Sequence, residues 1–256
     1  MIKIIKNILK VIHSVIWWID WLVFMSLAMF FDAIVWPGNR EMYRKTERFW
    51  AWTLMKISGT RLEISGQENL PRDDTVVYMP NHQSDLDWPI LFRVIPGQYL
   101  FLAKKELFDT PMFGAYMRLQ EYIPIERSNI RKSYRTYQTI MTLIKSGNSI
   151  VIFPEGTRSF NDNLGKFKPS SFSILQDTKV RVVPICIDGS TNIQRKGSKS
   201  ISPGTVKVTI LPPVSFDDLY PLENKEFSKM ALNRVREVLL ETLNKKEETT
   251  RQTKEQ

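Results

Sequence analysis

The stretch Thr75-Val76-Val77-Tyr78-Met79-Pro80-Asn81-His82-Gln83-Ser84-Asp85-Leu86-Asp87 decides the fold. Its first five residues predict a short buried strand that stops at Pro80, because proline donates no hydrogen bond to a sheet ladder. Ser84 is typical of a helix N-cap, and the apolar residues that follow Asp87 continue a helix. A buried strand that leads directly into a helix indicates an α/β protein with a mainly parallel sheet and helices on both faces.

His82 and Asp87 lie just after this strand. An Asp in the first helical turn can reach back to hydrogen-bond the imidazole, fix its tautomer and stabilise its charged form. Ser84 and Asp87 also fit a capping box, in which the carboxylate only satisfies a backbone N–H. Because the chain has 2 histidines and this one follows a strand, where α/β proteins place their chemistry, we favour a general base with an orienting carboxylate.

A second strand and turn repeat this organisation. Ser149 to Phe153 is an apolar run that predicts a strand buried on both faces, and Pro154-Glu155-Gly156-Thr157-Arg158 is a turn that ends in a cation. Taken alone, this turn would be read as an ordinary exit loop with solvated charges. Since the carboxyl ends of parallel strands meet at one edge of a sheet, we expect both turns to deliver polar groups to one crevice.

These two motifs, with three further blocks in order along the chain, resemble the glycerolipid acyltransferases. The closest resemblance is to the 1-acyl-glycerol-3-phosphate (lysophosphatidate) acyltransferases, and it runs from about Gly59 to Pro213. The further blocks are Ala103-Lys104-Lys105-Glu106-Leu107, Ile123-Pro124-Ile125-Glu126-Arg127 and Val182-Val183-Pro184-Ile185. Two positions depart from the family pattern: Glu126 stands where Asp is frequent, and Ser170-Ser171 lies where a glycine is usual.

The resemblance implies roles for particular residues. His82 would be the general base and Asp87 its orienting partner, with no metal site. The residues implied to bind the acceptor are Lys104, Arg127, Glu155, Gly156, Thr157 and Arg158. Of these, Arg127 and Arg158 would hold a phosphate, because a guanidinium fork can bond two phosphate oxygens at once. Lys104 would add charge, and its neighbour Lys105 is an alternative.

The reaction implied is acyl transfer to the sn-2 hydroxyl of lysophosphatidic acid, which yields phosphatidic acid for phospholipid biosynthesis. No cofactor is implied beyond an acyl thioester co-substrate, either acyl-CoA or acyl-carrier protein. One alternative is another lysophospholipid acceptor, of the lysocardiolipin or lysophosphatidylglycerol type. A second alternative is a non-catalytic lipid-binding membrane protein.

Other chemistries have little support in the sequence. Cys186 is the only cysteine, so neither a disulfide framework nor a cysteine-based metal cluster is possible. It lies in an apolar run, where a buried structural thiol is expected. The chain also lacks the Gly-x-Ser-x-Gly motif of serine hydrolases. His13, the second histidine, falls in an apolar segment and is expected to pack.

Residues 1–57 are predicted to form membrane-anchoring helices at the cytoplasmic face of the cell membrane. Three lysines precede an aromatic-rich apolar segment, Val11 to Trp36, and such aromatics favour the headgroup boundary. Between Asp20 and Asp32, only the stretch Trp21 to Phe31 is free of charge, which is shorter than a membrane-spanning helix requires. Whether the segment spans the bilayer is therefore open, and we favour a helix embedded in the membrane. It would bend near Trp36-Pro37-Gly38 into an amphipathic helix that ends near Ile57. A signal peptide is the alternative, but no small-residue cleavage pattern follows.

The net charge of +9 predicts an anionic partner. Nucleic acid is one candidate, since Arg131, Lys132 and Arg135 lie beside tyrosines. At helical spacing, however, Ile130, Tyr134, Tyr137, Met141 and Ile144 predict a core-facing stripe, which leaves the basic residues as a solvated face. We therefore predict an anionic lipid surface and no nucleic acid.

Residues 58–243 are predicted to form the catalytic domain, and 244–256 a polar, disordered tail. A closing helix is expected over Glu223 to Leu243. The further predicted strands are Gln98 to Ala103, Tyr122 to Ile125, Ile150 to Phe153, Arg181 to Ile187 and Thr205 to Leu211.

Overall fold

A computed structural model describes residues 2–71, 74–126, 130–159 and 163–254 of the 256-residue chain. The strands are β1 (Thr60–Ser65), β2 (Val76–Pro80), β3 (Tyr99–Lys104), β4 (Ile123–Ile125), β5 (Ser149–Val151), β6 (Arg181–Asp188) and β7 (Gly204–Ile210). The α-helices are α1 (Ile2–Ile19), α2 (Met25–Val35), α3 (Arg40–Ser58), α4 (Asp87–Val94), α5 (Lys105–Phe108), α6 (Phe113–Leu119), α7 (Ile130–Lys145), α8 (Ser173–Thr178), α9 (Ser190–Ile193) and α10 (Asn224–Lys254). A π-helical segment, Asp20–Phe24, joins α1 to α2.

The described residues form a 7-stranded sheet in the order β1-β7-β6-β2-β5-β3-β4. Strand pairs are parallel except for β6 and β7, so the predicted mainly parallel α/β fold is confirmed. The connections from the adjacent strands β2 and β5 run in opposite directions, to β3 and to β6. Because such crossovers are right-handed, α4 and α8 cover opposite faces and the two loops diverge. That divergence opens a crevice at the carboxyl ends of β2 and β5.

The packing of the helices agrees with this division. α3 packs against α4 on one face, while α7 and α10 pack against α8 on the other. All residues of β2 and of β5 are buried, as their continuous apolar runs predict. The core therefore lies on both faces of the central strands, and the two candidate site motifs follow the two most enclosed strands.

The predicted strands are found with small shifts at their ends. β2 includes Pro80, in register with Ile185 of β6, although a stop before the proline was predicted. The next residue, Asn81, donates its N–H to the Ile185 carbonyl at 3.3 Å, so this ladder needs no donor from the proline. On the other side, β5 pairs only with Val77 and Tyr78. The missing N–H of Pro80 therefore costs no sheet hydrogen bond.

Two helices differ from their predicted form. α7 buries Ile144 as expected, and Tyr137 and Met141 pack partly buried against the core, but Tyr134 is 61% exposed, so the predicted stripe is wrong at that residue. α10 continues to Lys254, whereas an end at Leu243 and an irregular tail were predicted. The Lys, Glu, Gln and Arg residues of this segment are good helix formers.

The helical segment 2–35, made of α1, the π-helical segment and α2, packs antiparallel to α3. The chain reverses at 36–39, where the bend was predicted, and the Asn39 side chain caps α3 by accepting from the Met42 N–H at 3.1 Å. His13 bonds the Ile57 carbonyl at 2.6 Å. His13 therefore has a packing role, as expected.

The apolar helix is long enough to cross a membrane. By length and composition, Asn7–Val35 qualifies, with 29 residues and a mean hydropathy of 1.7, among the residues that the structure describes. Its two acids face α3: Asp32 accepts from the Thr46 hydroxyl at 2.8 Å, and Asp20 lies within 3.4 Å of the Thr53 hydroxyl. Since these carboxylates turn away from the apolar surface, they do not interrupt it.

Candidate active site

His82 and Asp87 form a hydrogen-bonded pair after β2. The His82 Nδ1 and Asp87 Oδ2 atoms lie 2.8 Å apart, with the Asp87 side chain fully buried and the His82 side chain 14% exposed. The pair is anchored to the sheet because Asn81 bonds both the N–H and the carbonyl of Ile187 in β6, at 2.7 and 2.8 Å. An ionised carboxylate can only accept, so Nδ1 carries the proton and Nε2 is left to act as a base.

The same carboxylate oxygen also caps the turn that precedes α4. Asp87 Oδ2 accepts from the backbone N–H groups of Gln83 at 2.6 Å and Ser84 at 2.9 Å. These contacts fit both the capping and the orienting interpretations of Asp87. The α-helix begins at Asp87, later than the predicted N-cap Ser84, since the residues between form a turn in which the Ser84 hydroxyl accepts from the Leu86 N–H at 3.1 Å.

Glu155 joins the two strand-exit loops. Its Oε1 atom accepts from the His82 N–H and its Oε2 atom from the Gly165 N–H, both at 2.8 Å. The side chain is buried, and burial raises the pKa of Glu155 while the two backbone donors oppose that shift. We predicted that Glu155 would shape the acceptor pocket, and its geometry points to an indirect way of doing so, by holding the His82 backbone.

The second turn brings further groups beside His82. The His82 ring stacks on Phe153 with ring centroids 3.9 Å apart, and the His82 carbonyl accepts from the Ser159 N–H at 2.9 Å. Gly156 has φ +67°, a left-handed conformation that L side chains rarely adopt, so glycine suits this turn. The two motifs predicted to share one crevice therefore lie in contact.

His82 faces a cavity of about 700 Å³, a volume sufficient for part of a lipid substrate. Gly156, Thr157 and Arg158 also line it, as does Lys104. The apolar part of the lining includes Leu102, Leu107, Ile125, Ile140, Ile152 and Ile174. A cavity with a general base, cations and an apolar wall can hold an amphiphile that carries a reactive hydroxyl and a negative charge.

The cations around the cavity have different surroundings. Arg158 forms an ion pair with Asp85, and both side chains line the cavity. The Lys105 ammonium lies 3.6 Å from a Glu126 carboxylate oxygen and does not line the cavity, which favours Lys104 over the alternative Lys105. Arg127 lies outside the described residues, so its predicted role as a phosphate ligand stays a prediction.

Sequence reasoning missed Lys168 and Lys196, which also line the cavity. Lys196 donates to the Arg158 carbonyl at 2.6 Å and lies 3.3 Å from the Thr157 hydroxyl, so it supports the second turn. Lys196 lies in a polar, basic loop after β6, and this composition was the signal that could have indicated a site residue. The spacing of 38 residues from Arg158 gave no reason to place it in the site.

A segment that we call the strap, residues 194–201, links the site to the first helix. At one end the Gln194 side-chain carbonyl accepts from the Ser84 hydroxyl at 2.8 Å and from the Asp85 N–H at 3.2 Å. At the other end the Trp18 indole N–H donates to the Lys199 carbonyl at 2.8 Å, and the Ile201 N–H donates to the Ser14 hydroxyl at 3.0 Å. The strap therefore connects the loop that carries His82 to the apolar N-terminal helix.

In the described part of the chain, no group of three or more His, Cys, Asp or Glu residues is arranged to hold a metal ion. Cys186 is fully buried in β6. A buried thiol in the interior of the sheet agrees with the expected structural role.

Comparisons with known proteins agree with the geometry. The acyltransferase family model matches residues 61–188, half of the chain. The chloroplastic 1-acyl-sn-glycerol-3-phosphate acyltransferase LPAT1 of Arabidopsis thaliana is 34% identical over 212 residues, which cover 82% of this chain and 59% of that protein. The chloroplastic enzyme BAT2 of Brassica napus, with the same activity in its name, is 40% identical over 179 residues, covering 69% and 51%. The chain thus spans less than two thirds of the length of these two relatives.

A solved structure has the same fold. The crystal structure of the 1-acyl-sn-glycerophosphate acyltransferase PlsC from Thermotoga maritima aligns with a TM-score of 0.72 and 24% identity, covering 91% of this chain and 97% of that one. On the match over 61–188 and the two plant relatives, the chain belongs to the acyltransferase family that includes the 1-acyl-sn-glycerol-3-phosphate acyltransferases.

Proposed function

We propose that the protein transfers an acyl chain from an acyl thioester to the sn-2 hydroxyl of 1-acyl-glycerol-3-phosphate, which yields phosphatidic acid for phospholipid biosynthesis. The observation that carries this proposal is the His82–Asp87 pair at a cavity lined by both cations and apolar side chains. The activity named for the relatives supports the choice of acceptor. The donor is acyl-CoA or acyl-carrier protein.

His82 acts as the general base in this reaction. Its Nε2 atom takes the proton from the acceptor hydroxyl while the hydroxyl oxygen attacks the thioester carbonyl, and Asp87 stabilises the imidazolium that forms. Collapse of the tetrahedral intermediate breaks the carbon–sulfur bond, and the imidazolium returns the proton to the leaving thiolate. The products are the new ester and a free thiol, so neither a cofactor nor a metal is required.

The tetrahedral oxyanion needs hydrogen-bond donors, which we expected in the loops that follow the strands. In the first loop, the N–H groups of residues 82–85 are already bonded to the side chains of Glu155, Asp87 and Gln194. We therefore assign this task to the second turn, where Thr157 and Arg158 line the cavity.

Acceptor and donor are positioned by the rest of the cavity. Arg158, Lys104 and the predicted ligand Arg127 bind the acceptor phosphate, and the apolar wall receives an acyl chain. Since one general base accounts for about two to four orders of magnitude in rate, positioning of the two substrates supplies much of the remainder.

Residues 1–57 anchor this catalytic domain, 58–243, to the cytoplasmic face of the cell membrane. The support is a broad exposed apolar surface on the first two helices, which includes Ile8, Leu9, Ile12, Leu27, Phe30 and Ile34. On α3 the exposed Phe49 and Trp52 rings stack with centroids 5.8 Å apart, and the Lys56 ammonium lies over Trp52. Aromatic and basic groups together suit the headgroup region of an anionic leaflet.

The test is thiol release by the detergent-solubilised protein with palmitoyl-CoA or oleoyl-CoA, or with acyl-carrier protein as donor. Lysophosphatidate, glycerol 3-phosphate and lysophosphatidylglycerol are offered separately as acceptors. We expect release that depends on lysophosphatidate and is lost in His82→Ala. His13→Gln, which changes the other histidine and retains a side-chain donor, is the matched control and should stay active.

Each other outcome has a distinct meaning. Release with lysophosphatidylglycerol alone would retain the mechanism and overturn the acceptor. Activity near wild type in His82→Ala would overturn the general base. Binding to vesicles without release from any donor and acceptor would favour the non-catalytic lipid-binding alternative.

A further inference from the structure

The cation that we assign to the acceptor phosphate already has an anionic partner. Arg158 Nη1 forms an ion pair with Asp85 Oδ2, and their side chains are 26% and 38% exposed. Both line the cavity that His82 faces. In the absence of substrate, one unit of positive charge at the site is therefore neutralised from within the protein.

Asp85 is held in place from the other side. The backbone N–H of Asp85 donates to Gln194 Oε1 at 3.2 Å, and Gln194 Nε2 lies 3.4 Å from Asp85 Oδ2. Gln194 is 2% exposed. In the sequence, Asp85 lies between His82 and Asp87. The loop that contains these residues is held by the hydrogen bond from the His82 N–H to Glu155. The carboxylate therefore keeps a hydrogen-bond partner, and stays near Arg158, when the guanidinium turns to another anion.

Resting on the function proposed above, we propose that Asp85 competes with the acceptor phosphate for Arg158 and so weakens the binding of acceptor and product. A guanidinium fork can serve two anions, but a carboxylate of the same sign nearby repels the phosphate. Lysophosphatidate and phosphatidate carry the same phosphomonoester, so Asp85 weakens both. Weaker product binding keeps phosphatidate from occupying the site after each turnover.

This role has a signature in the charge of the ligand. The repulsion grows with the charge on the phosphate, so it acts more strongly on a monoester, which approaches two negative charges near neutral pH, than on a diester. Removing the charge of Asp85 should therefore improve the binding of lysophosphatidate more than that of lysophosphatidylglycerol. If Asp85 only positioned Arg158, its loss would have the opposite effect and would weaken the binding of both lysophosphatidate and lysophosphatidylglycerol.

The experiment compares wild type with Asp85→Asn, whose side-chain oxygen can still accept from Arg158 and Gln194. We expect the KM for lysophosphatidate and the inhibition constant of phosphatidate each to fall about tenfold, which is about 1.4 kcal/mol. kcat should stay level or fall, because product leaves more slowly. Asp85→Glu keeps the charge and should retain a KM near the wild-type value. Asp218→Asn, which removes an acid from the Asp218–Arg234 ion pair, is the matched control.

A direct binding measurement separates this inference from the proposed function. Equilibrium binding of radiolabelled lysophosphatidate is measured in a His82→Ala background, with and without Asp85→Asn. Tighter binding in the double variant supports the competition even if no acyl transfer is found. An unchanged or weaker affinity, or a KM that rises, overturns the competition and leaves the proposed acyl transfer standing.

Discussion

A single carboxylate oxygen organises the catalytic loop. Asp87 Oδ2 receives hydrogen bonds from the His82 ring and from two backbone N–H groups, and Asp87 Oδ1 has no hydrogen-bond partner among the described residues. The concentration of donors on one atom explains why the motif can be read either as a helix cap or as a catalytic pair. The two backbone N–H groups fix the position of the Asp87 carboxylate, and the fixed carboxylate orients the His82 imidazole.

We expect Asp87→Asn to separate these two roles. The Asn side-chain oxygen can still accept from the backbone, so folding should be retained. The charge that stabilises the imidazolium is lost, and kcat should fall by about two to four orders of magnitude with a small change in KM. Steady-state kinetics and a thermal melt in detergent measure the two effects. A variant with wild-type kcat would show that Asp87 only caps the turn before α4.

Glu155 supports His82 through the backbone, so its loss should be felt in both stability and rate. In Glu155→Gln, only one side-chain oxygen remains for the N–H groups of His82 and Gly165. An unpaired buried N–H costs about 1–3 kcal/mol, and the His82 loop should shift. We expect a lower melting temperature together with a lower kcat. Glu237→Gln, on the exposed face of α10, is the control and should alter neither.

At the scale of elements, α3 is fastened to the catalytic domain by a buried polar cluster. Arg44 and Glu47 form an ion pair, and Glu47 Oε1 accepts from the Tyr122 hydroxyl at 2.6 Å and from the Tyr116 hydroxyl. Arg44 donates to the Tyr99 carbonyl in β3 and lies 4.0 Å from the centroid of the Tyr99 ring. Burial raises the pKa of Glu47, and the Arg44 charge opposes that shift. The cluster therefore joins α3, β3 and α6.

Removing one charged residue of this cluster should destabilise the protein more than replacing both charged residues with apolar ones. Glu47→Ala leaves the Arg44 charge buried without its partner, which is expected to cost about 3–5 kcal/mol of stability. The double variant Arg44→Met with Glu47→Leu removes both charges and should melt closer to wild type. Thermal unfolding in detergent measures both proteins. A double variant that melts below Glu47→Ala would contradict this account of the cluster.

The elements differ in how well the sequence predicts them. β2, β5 and β6 are found where continuous apolar runs placed them, because strands buried on both faces carry a strong composition signal. β1 was missed, since its residues are only half-buried or exposed and the exposed ones include Arg61 and Glu63. The start of α4 was misplaced, because the Ser84 hydroxyl and Asp87 cap a turn that only later becomes helical. Local patterns thus give the existence of an element more securely than its ends.

At the scale of the molecule, the hydrogen-bonded pair His82 and Asp87 could be predicted but its distant supports could not. His82 and Asp87 are five positions apart and are read from one motif. Gln194 lies 109 positions from Asp85 and reaches it only through the parallel pairing of β2 with β6. The Asp85–Arg158 ion pair depends in the same way on β2 lying beside β5. Such contacts follow from strand order, which no local pattern encodes.

The strap gives a prediction for the whole molecule. Trp18→Phe removes the hydrogen bond to the Lys199 carbonyl while an aromatic ring is kept, and kcat should fall several-fold because the strap also holds Ser84 and Asp85. Trp21→Phe, in the π-helical segment that follows α1, is the matched control and should have little effect. Vesicle flotation of both variants checks that membrane binding is unchanged. If Trp18→Phe and Trp21→Phe had equal kcat values, the hydrogen bond from Trp18 to the strap would have no effect on the loop that carries His82.

The strap also determines which parts of this protein can be removed. Removing the first helix to obtain a water-soluble fragment would take away Ser14 and Trp18, and with them the hydrogen bonds that hold one end of the strap. Such a fragment should work poorly even on short-chain acceptors that dissolve freely. In the proposed enzyme, the first helix is thus more than a membrane anchor, because it also holds one end of the segment that supports the His82 loop.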